Sequence, residues 1–262
     1  MKKIVLDAGH GFNTAGKRTP DGSNGVVREW TMNNNICKFV AEILADYDVE
    51  IIRVDDTIGG TDIPLLQRTN SINKIKPNLC ISIHHNATTG NWNAATGVEV
   101  FSHPNKPKRD AELAKLFVDE MAKFVGLRNR GAKQDNLHMV RETNSEIPSV
   151  LCEGGFMDGM VDYQVITTDK GQRAYAQAVA NICVSFLGLK KKGEDDMTQE
   201  RFNEMMDVYL KQQSKKPEKF SDWFLKEFGN DMERVKKVTD GANPQGFGTR
   251  EQNVAMILRA TK

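Results

Sequence analysis

Four side chains able to bind a metal ion or move a proton stand beside apolar runs in this chain. His10 lies in Asp7-Ala8-Gly9-His10-Gly11, directly after the run Lys3 to Leu6. His84 closes Ser82-Ile83-His84-His85-Asn86, and Glu153 opens Glu153-Gly154-Gly155. Glu29 heads the first long amphipathic segment. Two imidazoles and two carboxylates meeting at one place suit a divalent cation, above all zinc. A catalytic zinc keeps three protein ligands and one open position. The spare carboxylate can take the proton from a water whose pKa falls from about 15.7 to about 7 on the metal. Taken singly, each residue also has a plainer use. A histidine after a strand can cap it, Glu29 can favour a helix dipole, and Glu153 can satisfy loop amides. No H-E-x-x-H is present, so the site is not a helix-borne protease motif.

Convergence requires the right elements beneath these residues. Short apolar runs alternate with longer amphipathic ones, which predicts strands at Lys3 to Leu6, Val49 to Val54, Leu79 to His84, Gly97 to Ser102, Leu137 to Val140 and Ser149 to Cys152. Helices are expected around Ile36 to Tyr47, from Pro64 to about Lys74, from about Lys108 to Val125, and from Gly171 to Leu187. The alternation predicts an α/β fold: a mostly parallel twisted sheet with helices on both faces. Parallel strands would deliver His10, His84 and Glu153 to one carboxyl edge, where open α/β sheets bind ligands. A glycine-containing loop before Glu29 is long enough to fold back over that edge.

The pattern breaks at Lys190-Lys191-Lys192-Gly193-Glu194-Asp195-Asp196, a charged stretch without bulky apolar residues. It reads as a linker over 190–197 between a domain at 1–189 and a small all-helical C-terminal domain at 198–262. Thr198 is placed to cap a helix holding Phe202, Met205, Met206, Tyr209 and Leu210; further apolar clusters are Trp223, Phe224 and Phe228, then Val254, Ile257 and Leu258. Val238-Thr239-Asp240-Gly241 and Thr249-Arg250-Glu251-Gln252 resemble part of the signature of surface-layer homology and related wall-associated modules. That resemblance implies binding to a cell-wall polymer.

Composition narrows the partners. The 262 residues hold 36 basic and 35 acidic side chains, a net charge of +1. That balance lacks the electrostatic footprint of a nucleic-acid binder. No apolar run approaches the ~18 residues of a membrane span, so no membrane insertion is expected. Met1 to Leu6 reads as a strand and not as a secretory signal. The four cysteines, Cys37, Cys80, Cys152 and Cys183, sit apart in apolar stretches, as small buried hydrophobes do.

D-A-G-H-G after the first strand, a glutamate opening the first helix, S-I-H-x-N after an apolar strand, and P-S-V-L-x-E-G-G-F occur in that order over about residues 1 to 188. Together they resemble the zinc N-acetylmuramoyl-L-alanine amidases of the amidase-3 family, which includes bacterial wall-remodelling enzymes and phage endolysins. The resemblance implies that His10, Glu29 and His84 hold Zn2+ and that Glu153 is the catalytic carboxylate. The substrate it implies is peptidoglycan, cut between N-acetylmuramic acid and L-alanine. Asn86 and Arg141 match polar positions near the family's site, and His138, beside the site edge, is a candidate for substrate contact. A usually small position after the second zinc histidine is His85 here. Strand alternation turns neighbours to opposite faces, so His85 is expected to support the site and not to bind the metal. His103 is expected at the surface. Without a signal peptide or a long helical insertion over the site, the chain reads as an endolysin. It would be made in the host cytoplasm and released to the wall with the help of a holin.

Three rivals remain open at this stage. A zinc peptidase acting on the stem peptide would share the metal centre. A cysteine hydrolase would use Cys152 or Cys80, although both lie inside apolar strands where a thiolate is disfavoured. A non-catalytic wall binder would have lost a ligand or Glu153, and neither is lost.

Overall fold

Leu79-Cys80-Ile81-Ser82-Ile83 alternates between two covered faces, and the fold is built outward from that strand. The computed structural model describes residues 1–193. Its order is β1 (Lys2–Ala8), α1 (Glu29–Leu44), β2 (Val49–Arg53), α2 (Leu65–Ile75), β3 (Leu79–Asn86), β4 (Val98–Ser102), α3 (Lys108–Val125), β5 (Asn129–Gln134), α4 (His138–Glu142), β6 (Ser149–Phe156), α5 (Met160–Ile166) and α6 (Asp169–Leu187). The six strands form one sheet in the order β2-β1-β3-β6-β4-β5. All neighbours are parallel except β4, which runs antiparallel to β6 while pairing parallel with β5. The expected α/β sheet with helices on both faces is therefore present.

The two faces are covered unequally. Ile4, Leu6, Ile81, Ile83, Val100 and Cys152 face a large core made with α1, α3 and α6. Val5, Cys80 and Leu151 face a smaller one with Ile72 of α2 and Met139 and Val140 of α4. Helix α6 starts on Thr168, whose hydroxyl accepts from the Gly171 amide, a cap worth about 1 kcal/mol. It ends at Gly188, whose φ of 59° lies in the left-handed region.

Sequence and structure part at a few elements. Leu137 to Val140 is not a strand: Leu137 caps helix α4. An apolar run of four residues has no period by which to choose. The strand beside β4 is instead β5, Asn-Arg-Gly-Ala-Lys-Gln, a polar edge strand without the apolar alternation that marks a strand. Strand β6 runs on to Phe156, so Glu153 lies inside it and not just beyond its end. Lys190 to Lys192 pair with the turn after α1: the Asp48 amide donates to the Lys190 carbonyl, and the Lys192 amide donates to that of Asp46. The anticipated domain at 198–262, with its Thr198 cap, lies outside the described residues. No helix among the described residues is long and apolar enough to cross a membrane.

Candidate metal centre and active site

β1 delivers its chain to the sheet edge and turns there through Gly9 and His10. A Cβ on Gly9 would lie 2.0 Å from Cε1 of His84, so only glycine leaves room for that ring. His10 has a φ of 68°, a left-handed conformation costing a non-glycine residue on the order of 1 kcal/mol. Arg68, fully buried on α2, holds it in place. Its Nη1 donates to Oδ1 of Asp7 at 2.7 Å and to the Ala8 carbonyl at 2.8 Å. Its Nη2 donates to the His10 carbonyl at 2.9 Å and to Oδ1 of Asp62 at 3.0 Å, and Nε donates to Ile63. The second oxygen of Asp7 accepts from the Ser82 hydroxyl at 2.6 Å. The loop presenting His10 is thereby bolted to β1, α2 and β3.

Glu29, the first residue of α1, reaches over the edge between the two histidines and is wholly buried. Its Oε1 is 3.1 Å from Nδ1 of His84, and its Oε2 is 3.3 Å from Nε2 of His10. Ligand atoms of His10, Glu29 and His84 all fall within 4.8 Å of one another. The His85 amide also donates to Glu29 at 3.2 Å. Burial opposes charge on Glu29, but the adjoining His10 and His84 rings outweigh it and hold the carboxyl well below its usual range. Nε2 of His10, Oε2 of Glu29 and Oε2 of Glu153 are nevertheless buried without a hydrogen-bond partner. The 3.3 Å approach of the first two is therefore proximity without hydrogen-bond geometry. Orphaned buried polar atoms cost about 1–3 kcal/mol each, and a divalent cation held by His10, Glu29 and His84 would satisfy the first two. The donor set, two imidazoles and a carboxylate, fits such an ion.

Glu153 is the register partner of His84 on the neighbouring strand, so both project from one face. Burial pushes its carboxyl up to about 8, against the pull of the His84 charge and with the repulsion of Glu29. A carboxyl so poised is suited to proton transfer near neutral pH. His85 projects from the opposite face. Its Nδ1 lies 2.8 Å from Oδ1 of Asn33, and its ring packs edge-on to Tyr175. The amide nitrogen of Asn33 donates to the Gly9 carbonyl, which leaves Oδ1 to accept and assigns the His85 proton to Nδ1. Burial drives His85 down to about 4, so it is neutral.

Asn86 donates to Oε1 of Glu99 at 2.6 Å and lies one strand from Glu153. His138 and Arg141 sit elsewhere on that face. His138 approaches Thr69 of α2, while Arg141 binds Asn136 and Glu142. Among the described residues, neither hydrogen-bonds to His10, Glu29 or His84. His103 is buried, with 8% of its surface exposed and Nε2 near Asn136, which corrects the expectation of a surface residue. All four cysteines are buried free thiols. Burial raises those of Cys80 and Cys152 far above the ordinary thiol range, the opposite of what a nucleophilic thiolate needs. Arg68, Asn33 and Glu99 are supporting residues that sequence reading did not single out. Glu99 does leave a trace there, as an acidic residue inside the apolar run Val98 to Phe101.

A cavity of about 300 Å³ opens over the centre, lined by Gly9, His10, His84, Arg68, Asp62 and Leu65 among others. A larger one, about 510 Å³, lies at the opposite edge against Met1, Lys2, Asp48 and Asn78 and contains no histidine. Of these two cavities, the smaller adjoins the histidine and carboxylate cluster. Residues 4–183 match the amidase-3 family, described as N-acetylmuramoyl-L-alanine amidase. The chain belongs to that family. This amidase is 29% identical over 191 residues to the N-acetylmuramoyl-L-alanine amidase CwlM of Bacillus licheniformis, covering 73% of the chain and 71% of the relative. It is 30% identical over 199 residues to the endolysin of Bacillus phage SPP1, covering 73% and 69%. Among solved structures it resembles an N-acetylmuramoyl-L-alanine amidase from Clostridium difficile 630 at a TM-score of 0.62 and 28% identity, covering 71% of this chain and 97% of the other. The amidase hydrolyses peptidoglycan at the amide between N-acetylmuramic acid and L-alanine.

Proposed function

We propose that this amidase works as a zinc enzyme, with His10, Glu29 and His84 as ligands and Glu153 as the proton carrier. The observation that carries the reading is the trio of orphaned buried atoms, Nε2 of His10 and Oε2 of Glu29 and Glu153, at one sheet edge. Zinc bound there supplies an acidified water and an electrophile for the substrate carbonyl. Arg68 and Gly9 keep the two imidazoles in place before substrate arrives. Glu153 takes a proton from the attacking water and passes it to the departing alanine nitrogen. The test is metal analysis of the purified full-length chain, together with the masses of fragments released from purified peptidoglycan. One zinc per chain, lost with activity in His10→Ala, is expected, and the fragments should carry free lactyl carboxylates. Fragments cut only within the stem peptide would make the enzyme a peptidase, and a fully active metal-free protein would refute the zinc site.

The biological reading we favour is an endolysin, supported by the phage relative, although sporulation and cell-wall amidases of bacteria are also similar. Expression in a bacterial cytoplasm should be harmless until a holin is co-expressed, and lysis without a holin would count against it. Residues 198–262 are proposed to anchor the enzyme on a wall polymer. Deleting them should slow clearing of intact walls while sparing soluble muropeptides; equal clearing would refute the anchor.

A further inference from the structure

The row of polar side chains does not stop at Glu153. His84 pairs in register with Glu153, and Glu153 pairs with Glu99 on β4. The three stand side by side across one face of the sheet, with β5 next in line. Glu99 is buried; its Oε1 accepts from Asn86 at 2.6 Å, and its Oε2 accepts from Arg130 Nε at 2.7 Å and from Lys133. Two cations thus face one carboxylate, and the cluster keeps a net positive charge.

Both cations are held firmly yet remain reachable. The Arg130 guanidinium lies 4.8 Å from the Phe156 ring centre, and Lys133 Nζ lies 5.8 Å from that of Phe101. Their side chains stay 31% and 38% exposed, against 5% for Glu99. Arg130 spends Nε on Glu99 and has Nη1 at 3.5 Å from the Thr96 carbonyl; Nη2 makes no hydrogen bond among the described residues. Lys133 retains unused N–H groups too. Fixed, partly desolvated cations with free donors are what a carboxylate ligand requires.

We infer that Arg130 and Lys133 form a subsite for a carboxylate on the peptide side of the substrate, and so set which stem peptides this enzyme cuts. The inference rests on the amidase activity. The span agrees: strands lie about 4.8 Å apart, so the cation heads sit roughly one to two strand steps beyond Glu153. An extended peptide covers about 3.3–3.6 Å per residue. The acidic group would belong to the second residue after the scissile amide, or to the third. The second carries a carboxylate in some muropeptides and a carboxamide in others, which makes discrimination measurable.

The test uses the full-length, metal-replete enzyme with soluble muropeptides that differ only in the second residue, D-glutamate or its α-amide. A second pair differs only at the third residue, with a free or an amidated side-chain carboxylate. The wild type should favour the acid form of one pair by about tenfold to a hundredfold, the span of a charge-assisted contact. The difference should appear in KM more than in kcat. Lys133→Gln should bring the two rates together, chiefly by slowing the acid form. Arg130→Gln should do the same. If it does not fold, because Glu99 loses its main partner, Lys133→Gln decides alone. No preference in the wild type within either pair, or an equal slowing of both forms in Lys133→Gln, overturns the subsite. A wild type that cleaves none of the muropeptides would count against the amidase reading and not against this subsite.

Discussion

His84 and His85 are adjacent in the chain and meet opposite faces of the same sheet. On the α1 and α6 side, His85 is sealed between Asn33 and Tyr175 and driven to neutrality by burial. On the other side, where α2 and α4 cover only part of the sheet, His84 keeps 12% of its side chain exposed beside Glu29 and Glu153. The thickly covered face stabilises the fold; the thinly covered one leaves a strip of side chains accessible at the carboxyl edge. The candidate site lies where packing stops short, because a substrate must displace water there and cannot displace a helix. The sealed side also serves the open one. Asn33 holds both the His85 ring and the Gly9 carbonyl, and the His85 amide binds Glu29.

The contrast can be broken most severely at Glu153. Glu153→Gln should retain the metal and lose on the order of a hundredfold to ten-thousandfold in turnover. Metal content and kcat measured on the same preparation decide it, and a metal-free variant would make Glu153 a ligand. Arg68→Met attacks the support of the open face. It leaves Asp7 buried with only Ser82 as a partner, and removing one member of a buried ion pair costs about 3–5 kcal/mol. Denaturant unfolding should show that loss, and metal affinity should fall with it as the His10 carbonyl loses its clamp. Wild-type stability with wild-type metal binding would remove Arg68 from the positioning machinery.

The smallest effect sharpens the sealed face. His85 titrates near 6.5 when unfolded and near 4 when folded. Because the folded value is depressed, its contribution is complete above about 6.5 and is lost as pH falls toward 4. The depression corresponds to on the order of 3 kcal/mol. His85→Gln, which can still donate to Asn33, should lose less stability than the wild type over that window and should keep its metal. Parallel acid-unfolding curves for the two proteins would show that burial does not hold His85 neutral.

Much of this molecule was legible in its residues because the signals are local. Apolar runs of strand length, three long amphipathic helices and glycines beside polar residues announce an α/β sheet with polar residues gathered at one edge. Period-two alternation was enough to send His84 and His85 to different faces. Elements without a local signal were misread: β5 is polar because it is an edge strand, and α4 is too short to show a period. His103 was misplaced for a related reason, since burial of a lone histidine depends on what packs over it.

Residue order and hydrophobic period are local properties, and they carry the family, the fold class and the order of the four polar residues. The remaining relations arise only in the folded molecule. It tied the left-handed turn at His10 to Arg68, fifty-eight residues away. It left three buried atoms without hydrogen-bond partners, and it lined up His84, Glu153 and Glu99 across neighbouring strands. Those relations depend on strand order and register. A sheet whose sequence order is β1 to β6 and whose spatial order is β2-β1-β3-β6-β4-β5 acquires them only when long-range pairing is complete.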